Sequence, residues 1–217
     1  MRRALNAKAF LFALSSFIAA GPARAENVRA IMQAPLIVGA SVSADYKTAS
    51  PGRRLALRHT AASNLETIAR PGQNSKAILP LVDAVALRGR TSVIALDLFF
   101  WDSVLSDAGR SVENIKRLVQ LSADAKIPLV LGEVPELIAG RQVSRKKLNA
   151  EITRLCKAPH GCYLVPLSGL FEKIRADGGL TIEGRLVPVA ELLPDGLHLS
   201  AVAAEYIADG MSEILEK

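Results

Sequence analysis

Residues 92–98 read Ser-Val-Ile-Ala-Leu-Asp-Leu, and residues 127–132 read Ile-Pro-Leu-Val-Leu-Gly. Neither run alternates between apolar and polar residues. An uninterrupted aliphatic run of this length is typical of a parallel strand that is covered on both faces. Similar runs occupy residues 35–39 and 163–167, and residues 64–69 form a weaker strand candidate. The sequence therefore predicts a mostly parallel sheet of five strands.

Amphipathic segments lie between the predicted strands. They cover residues 52–62, 75–88, 110–125, 144–156, 168–177 and 200–215. Strands that alternate with helices predict a three-layer α/β/α domain, and Ser200 is expected to cap the last helix. Residues 178–190 interrupt the alternation, and we expect a small hairpin there around Glu183-Gly184.

The composition agrees with an α/β fold. The chain has 217 residues, of which 50% are hydrophobic and 22% charged, and this balance excludes intrinsic disorder for the whole chain. Aromatic residues make up only 5%, which favours an aliphatic parallel sheet over an all-β sandwich. No internal repeat or flexible linker interrupts residues 26–217, so one domain is expected there.

Residues 1–25 have the features of a secretory signal peptide. Basic residues near the start precede a 12-residue apolar stretch at 9–20, and Ala23-Arg24-Ala25 forms a small-x-small cleavage site. As a helix, the apolar stretch spans about 18 Å, well short of a membrane core of about 30 Å. We therefore expect a cleaved signal of bacterial type, a periplasmic or secreted protein, and no stable membrane anchor after cleavage.

The net charge argues against a nucleic-acid partner. The formal value is +6, but the first 25 residues hold four basic residues and no acidic one. Without them, 23 basic and 21 acidic residues remain, a net of +2. The chain also lacks a basic run interleaved with aromatic residues, so no nucleic-acid binding is expected.

Only two cysteines occur, Cys156 and Cys162, with five residues between them. In an oxidising compartment they are expected to close a small disulfide loop, because Pro159 and Gly161 help the chain to turn. The alternative is a metal site in which His160 joins the two thiols, but it lacks a fourth ligand. The sequence favours the disulfide, and no metal or cofactor is expected.

Two distant segments hold the residues for nucleophilic catalysis. Ser41 follows the first predicted strand, where Gly39 permits a tight turn, and a serine needs a base to become a nucleophile. Asp195 and His198 lie three residues apart before the last helix. The carboxylate can therefore hold one ring nitrogen protonated and leave the other to accept the serine proton. Ser43 is the alternative nucleophile.

In this pattern the chain resembles the SGNH/GDSL hydrolase superfamily, over about residues 34–215. The resemblance implies a flavodoxin-like α/β/α fold and hydrolysis of esters or thioesters. It assigns the nucleophile to Ser41, within a Gly-Ala-Ser where the family commonly has Gly-Asp-Ser. It assigns the orienting acid to Asp195 and the base to His198, through the Asp-Gly-Leu-His segment. It also implies that the backbone N–H groups of Ser41 and Gly72 bind the oxyanion.

The third family block differs in this chain. Where the family usually has Gly-x-Asn-Asp, alignment on Asp102 places Trp101 at the asparagine, whose side chain is an oxyanion donor in the family. One hypothesis is that the Trp101 indole N–H replaces this donor, the loss of which typically costs about 10²–10³ in rate. A second is that Trp101 packs over the sheet with Phe99 and Phe100. A third is that these three aromatic residues form a substrate-binding wall for an acyl chain.

The function predicted from the sequence is a secreted serine hydrolase that cleaves a carboxylic ester of a small molecule, lipid or glycan. Two alternatives stay open. One is transfer of the acyl group to a glycan instead of water, and the other is a non-catalytic binding protein that retains the fold. The acyl specificity and the oligomeric state cannot be read from the sequence.

Overall fold

A computed structural model of the protein describes residues 22–157 and 161–217. Five parallel strands form its central sheet: β1 (Pro35–Gly39), β2 (Glu66–Ala69), β3 (Ser92–Ala95), β4 (Leu129–Gly132) and β5 (Cys162–Val165). They lie in the order β2-β1-β3-β4-β5. The five-stranded parallel sheet expected from the sequence is confirmed.

Strand β2 lies on one side of β1, and the later strands β3, β4 and β5 are added in sequence on its other side. Leu36 of β1 lies opposite Glu66 of β2 on one side and opposite Val93 of β3 on the other. In an open parallel sheet, such a switch leaves a crevice beyond the carboxyl ends of the two diverging strands, and ligands bind there. The carboxyl ends of β1 and β3 therefore define the place to search for a site.

Helices cover both faces of the sheet. Their bounds are α1 (Pro22–Ile31), α2 (Pro51–Leu57), α3 (Ser75–Ile78), α4 (Gly109–Asp124), α5 (Arg145–Cys156), α6 (Leu167–Asp177), α7 (Val189–Leu192) and α8 (Ala201–Leu215). Leu36 packs in a core cluster with Ile115 of α4, whereas its neighbour Ile37 packs in a second cluster with Ala204 of α8. Successive side chains of a strand point to opposite faces, so a sheet with two buried faces needs uninterrupted apolar strands. The three-layer α/β/α fold is confirmed.

The predicted hairpin is also present. Strands β6 (Gly179–Ile182) and β7 (Arg185–Pro188) pair antiparallel, with Ile182 opposite Arg185. The two connecting residues have positive φ angles, 50° at Glu183 and 79° at Gly184. This is the backbone of a two-residue turn whose twist matches that of the strands.

The helix predicted over residues 75–88 is wrong. Helix α3 ends at Ile78, a 3-10 turn spans Leu79–Leu81, and turns follow. Pro80 has no N–H to continue a helix, and the Asp83 carboxylate accepts from the N–H groups of Val85 and Ala86, both at 2.9 Å. The apolar residues of this segment are buried although most of the segment is irregular. Their spacing in the sequence therefore resembled that of an amphipathic helix.

Side-chain caps mark the beginnings of two helices. The Ser50 hydroxyl accepts from the Arg53 N–H at 3.3 Å before α2, and the Ser200 hydroxyl accepts from the Ala203 N–H at 3.2 Å before α8. The cap predicted at Ser200 is confirmed. Helix α2 ends at Leu57, five residues earlier than predicted, and Thr60 donates its hydroxyl to the Gln33 carbonyl at 2.8 Å.

Cys156, at the end of α5, and Cys162, at the start of β5, are joined by a disulfide with a Cα–Cα distance of 4.9 Å. His160 of the alternative metal site lies outside the described residues. Residues 1–21 of the predicted signal peptide also lie outside them, while α1 includes the predicted cleavage position after Ala25. Within residues 22–157 and 161–217, no helix is long and apolar enough to cross a membrane.

Candidate active site

Ser41 lies two residues beyond β1, at the crevice between the ends of β1 and β3. Ser41 is 9% exposed. The chain turns sharply around it, because the Ala44 N–H donates to the Ala40 carbonyl at 3.0 Å and the Tyr46 N–H donates to the Ser41 carbonyl at 3.0 Å. This turn presents the Ser41 side chain at the carboxyl edge of the sheet.

The Asp97 carboxylate holds this turn in place. It accepts from the N–H of Ala40 at 3.1 Å, from the N–H of Val42 at 2.8 Å, and from the hydroxyl of Ser43 at 2.6 Å. Burial raises the pKa of Asp97, and these hydrogen bonds act in the opposite direction. Within the part of the chain that the structure describes, the intervening N–H of Ser41 donates to no acceptor. That N–H is therefore available to an oxyanion.

The close contact between β1 and Asp97 requires a glycine at position 39. A Cβ atom on Gly39 would lie 2.1 Å from Asp97 Oδ1 and 2.3 Å from Ser43 Oγ. The hydroxyl of Ser43 is buried in this contact, with the residue only 2% exposed. The structure thus places Ser43 in a supporting position beside Asp97 and Ser41 at the crevice.

Asp195 and His198 lie in the loop between α7 and α8. Asp195 Oδ1 accepts from the backbone N–H of His198 at 2.7 Å, and Oδ2 lies 2.8 Å from His198 Nδ1. Gly196, with a φ of 77°, lets the chain turn between them. The pKa of Asp195 is lowered to about 2, chiefly by the hydrogen bond from the His198 backbone. Asp195 is therefore ionised at neutral pH.

A hydrogen bond between Ser41 and His198 joins the two loops. His198 Nε2 lies 3.0 Å from Ser41 Oγ, although the residues are 157 positions apart in the sequence. A serine, an imidazole and a carboxylate joined in this order can activate the hydroxyl as a nucleophile. The structure brings Ser41, His198 and Asp195 together, and their catalytic roles stay a prediction.

Gly72 lies at the same edge of the sheet, in the turn that follows β2. The Arg70 N–H donates to the Gly39 carbonyl at 3.0 Å and ties this turn to the end of β1. Gly72 is exposed and has a φ of 73°. Among the described residues, its N–H has no hydrogen-bond acceptor. Its role as the second backbone oxyanion donor stays a prediction.

Trp101 begins a 3-10 turn, Trp101–Val104, after β3. Its ring packs edge-on against Phe100, with centroids 5.3 Å apart. The indole N–H is enclosed and, within residues 22–157 and 161–217, has no hydrogen-bond partner. An enclosed N–H cannot reach an oxyanion unless the side chain turns. The donor role of Trp101 stays a prediction, and the observed contact is packing.

Asp102 connects the loops that follow β2 and β3. Its carboxylate accepts from the N–H of Ser75 at 2.8 Å and from the hydroxyls of Ser75 and Ser111, each at 2.6 Å. Asn114 of α4 donates to the Ser75 hydroxyl at 2.8 Å. Asp102 therefore holds α3, and with it the end of the turn that contains Gly72.

A small apolar cavity of about 50 Å³, partly open to solvent, extends from Ser41. Its walls come from several segments of the chain and consist of Val42, Pro51, Leu96, Asp97, Phe100, Pro135, Leu137, Leu167, Phe171, Leu197, Leu199 and Ile207. Of the three aromatic residues predicted to contact substrate, the structure places Phe100 on this wall. Phe99 is 2% exposed and packs in the core cluster that contains α4 and α5, and Trp101 contacts the same cluster.

Sequence reasoning missed most of the cavity wall and the importance of Asp97. Apart from Ser41 and Asp97, the lining residues are apolar, and they lie in α2, α6 and α8 and in the loops that follow β1, β3, β4 and α7, so they look like ordinary core positions. Asp97 did carry a signal, because a carboxylate at the end of an otherwise aliphatic strand must find hydrogen-bond donors when it is buried.

Tyr46 also lies at the site. Its ring centroid is 4.6 Å from that of His198, with the ring planes tilted by 57°, and the Lys47 ammonium lies 5.1 Å from the Tyr46 centroid. The His198 side chain is 14% exposed. One ring nitrogen of His198 thus meets Asp195, the other meets Ser41, and Tyr46 packs against the ring.

Solved structures of similar fold include an esterase and an SGNH-type protein. Esterase EstA from Pseudoalteromonas sp., in a structure inhibited by monoethylphosphonate, aligns with a TM-score of 0.60 and 19% identity, over 84% of this chain and 96% of its own. A candidate SGNH hydrolase from Slackia heliotrinireducens aligns with a TM-score of 0.58 and 16% identity, over 84% and 98%. LAE5, an α/β hydrolase enzyme from the metagenome of Lake Arreo, Spain, aligns with a TM-score of 0.58 and 15% identity, over 83% and 94%.

The chain therefore has the α/β fold of the SGNH hydrolases, and the resemblance inferred from the sequence is confirmed at the level of the fold. No family model matches the sequence. A search of curated proteins finds no match to it either.

Proposed function

We propose that the protein is a serine hydrolase that cleaves carboxylic esters. The observation that carries this proposal is the pair of hydrogen bonds at His198, 3.0 Å from Nε2 to Ser41 Oγ and 2.8 Å from Nδ1 to Asp195 Oδ2. A merely folded scaffold has no need of a serine, an imidazole and a carboxylate in this order. The esterase and hydrolases of the same fold support the same class of reaction.

The geometry supports a two-step reaction. Ser41 Oγ attacks the acyl carbon while His198 Nε2 takes its proton, and Asp195 stabilises the imidazolium that forms. The free N–H of Ser41, together with that of Gly72, would donate to the oxyanion. His198 then returns the proton to the leaving alcohol as the acyl–oxygen bond breaks. Water, deprotonated by His198, releases the acid from the acyl-enzyme and restores the Ser41 hydroxyl.

The cavity supports an apolar acyl group. Its wall is aliphatic and aromatic apart from Ser41 and Asp97, and the Asp97 oxygens are already occupied by donors from the Ser41 turn. Because the cavity begins at Ser41, the group most directly placed to enter it is the acyl part of an ester attacked there. We therefore propose aliphatic acyl esters as the substrate class.

The first test is labelling with a fluorophosphonate probe that reacts with activated serines. The mature chain, beginning at Glu26, should be labelled at Ser41, as mapped by mass spectrometry of the tagged peptide. Labelling should disappear in Ser41→Ala and persist in Ser43→Ala. Absence of labelling in a folded chain with an intact disulfide would favour a non-catalytic binding protein, and labelling at Ser43 would assign the nucleophile differently.

We also propose that the chain is exported. The disulfide between Cys156 and Cys162 supports an oxidising compartment. Expression of the full chain in a bacterial host, followed by fractionation and N-terminal sequencing, should recover a periplasmic or secreted protein that begins at Glu26. Recovery of a chain that still begins at Met1 contradicts this proposal.

A further inference from the structure

The segment that follows the nucleophile contains two residues with left-handed backbone. Asp45 has a φ of 57° and Lys47 a φ of 70°, and neither is a glycine. Residues with a Cβ atom adopt this conformation rarely, and a lysine in it is less common than an asparagine or aspartate. Such strain persists only where surrounding contacts impose it, and it concentrates at functional sites.

Several contacts impose this conformation. The Asp45 carboxylate accepts from the Ser50 N–H at 2.8 Å and forms an ion pair with Arg53 of α2. Arg53 also donates to the Thr67 hydroxyl of β2 at 3.1 Å. The segment is thus fixed to a helix and a strand of the central fold, with Tyr46 between the two left-handed residues.

The result of this conformation is the position of Tyr46 on His198. The Tyr46 ring lies 4.6 Å from the imidazole, yet the residue is 45% exposed, so burial in the core does not account for its placement. The Tyr46 N–H is bonded to the Ser41 carbonyl. Tyr46 is therefore attached to the nucleophile turn through its backbone and to the base through its ring.

We propose that Tyr46 is a positioning residue for His198, a role that rests on the proposed ester hydrolysis. Its ring limits rotation of the imidazole away from the line between Asp195 and Ser41, and it covers one side of the ring from water. Tyr46 itself exchanges no proton. Among the described residues its hydroxyl has no hydrogen-bond partner, so the ring and not the hydroxyl provides the effect.

The kinetic test compares Tyr46→Ala, Tyr46→Phe and a matched control, Tyr206→Ala. Tyr206 is another exposed tyrosine, 36% exposed on α8. We expect Tyr46→Ala to lower kcat by roughly tenfold with KM nearly unchanged, because a misplaced catalytic group slows chemistry more than binding. Tyr46→Phe and Tyr206→Ala should match the wild type, and fluorophosphonate labelling of Ser41 should slow in Tyr46→Ala alone. Equal kcat in Tyr46→Ala and wild type overturns the proposal, as does an equal loss in Tyr46→Phe.

A second readout does not depend on activity. In NMR spectra, the aromatic ring of Tyr46 should displace the His198 ring-proton resonances, and Tyr46→Ala should remove this displacement while the His59 resonances stay in place. A wild-type chain that hydrolyses no ester overturns the proposed function but leaves this measurement valid. Unchanged His198 resonances in Tyr46→Ala overturn the positioning contact whatever the activity.

Discussion

At the scale of single residues, the reactive geometry depends on a close contact that involves none of the three catalytic candidates. Gly39 lets the Asp97 carboxylate approach the end of β1, and Asp97 in turn accepts from the residues on both sides of Ser41. Asp97 takes the N–H groups of Ala40 and Val42, and among the described residues the N–H of Ser41 between them has no acceptor. The availability of this oxyanion donor therefore depends on Gly39, two residues before Ser41.

A substitution at Gly39 tests this dependence. Gly39→Ala places a Cβ atom 2.1 Å from Asp97 Oδ1, and we expect it to lower the free energy of unfolding by about 1–3 kcal/mol. Labelling of Ser41 should fall with it. Gly169→Ala is the matched control, because a Cβ atom there, within α6, has no neighbour within 4 Å. The control should raise stability by about 0.5–1 kcal/mol. Urea denaturation measures both, and equal effects of the two variants contradict the argument.

A substitution at Asp195 tests whether this carboxylate supports His198 as the base. Asp195→Asn keeps the size of the side chain but removes the charge that stabilises the imidazolium and the acceptor that selects its tautomer. We expect kcat to fall on the order of 10³–10⁴-fold. Glu191→Gln, which removes a nearby exposed carboxylate paired with Arg185, should leave kcat unchanged. Steady-state kinetics on one ester compares them, and a loss of less than tenfold in Asp195→Asn would remove Asp195 from this role.

The lowered pKa of Asp195 also predicts a pH dependence of stability. Because the pKa falls from 3.8 to about 2 on folding, the ionised carboxylate stabilises the native state above about pH 4. That contribution is lost as the pH falls from about 4 to about 2. The difference in unfolding free energy between wild type and Asp195→Asn should therefore shrink as the pH falls from about 4 to about 2. Denaturation curves between pH 2 and 6 measure this difference, and one that grows toward low pH contradicts the assignment.

At the scale of the element, the sequence predicted the strands better than the helices. A strand buried on both faces must be apolar at every position, and this requirement is visible in a short window such as residues 35–39. The helical spacing over residues 75–88 was ambiguous, because Leu79, Val82 and Leu87 are buried at similar spacing in irregular chain. Pro80 was the local signal that a helix would end there.

The disulfide connects two elements, because it joins the end of α5 to the start of β5. It closes a short loop, for which the loss of chain entropy in the unfolded state predicts a stabilisation of about 2 kcal/mol. Replacing both Cys156 and Cys162 by serine should lower the free energy of unfolding by that amount. Activity should be unchanged, because Cys162 lies at the amino end of β5 and Ser41 lies beyond the carboxyl end of β1. Urea denaturation and ester kinetics on the double variant test both parts, and a loss of kcat would connect the loop to the site.

At the scale of the whole molecule, no single segment of the chain contains all the residues of the site. Ser41, His198 and Asp195 come from two loops that the strand order brings to one edge, and short motifs made them visible in the sequence. The cavity has no such motif. Its wall combines residues of helices α2, α6 and α8 with residues of the loops that follow β1, β3, β4 and α7, and the apolar ones have the pattern of ordinary core positions. Only the packed structure shows which core side chains border empty space.

The small size of this cavity predicts a preference for short acyl groups. The side chain of Ile207, in α8, forms part of its wall. Ile207→Phe should reduce the cavity further and exclude long chains. We expect kcat/KM for an octanoyl ester to fall at least about tenfold relative to that for an acetyl ester, since removing room for several buried methylene groups costs about 0.8 kcal/mol each.

The matched control for this prediction is Val202→Phe, a substitution on the same helix at a position that is 38% exposed. It adds the same aromatic ring without entering the cavity, so the ratio of the two kcat/KM values should stay at that of the wild type. A series of p-nitrophenyl esters from acetyl to decanoyl measures the ratio. If Ile207→Phe lowers kcat/KM equally for every chain length, the cavity does not hold the acyl chain. The chain would then lie along the open crevice at the ends of β1 and β3, where Tyr46 and Gly72 are exposed.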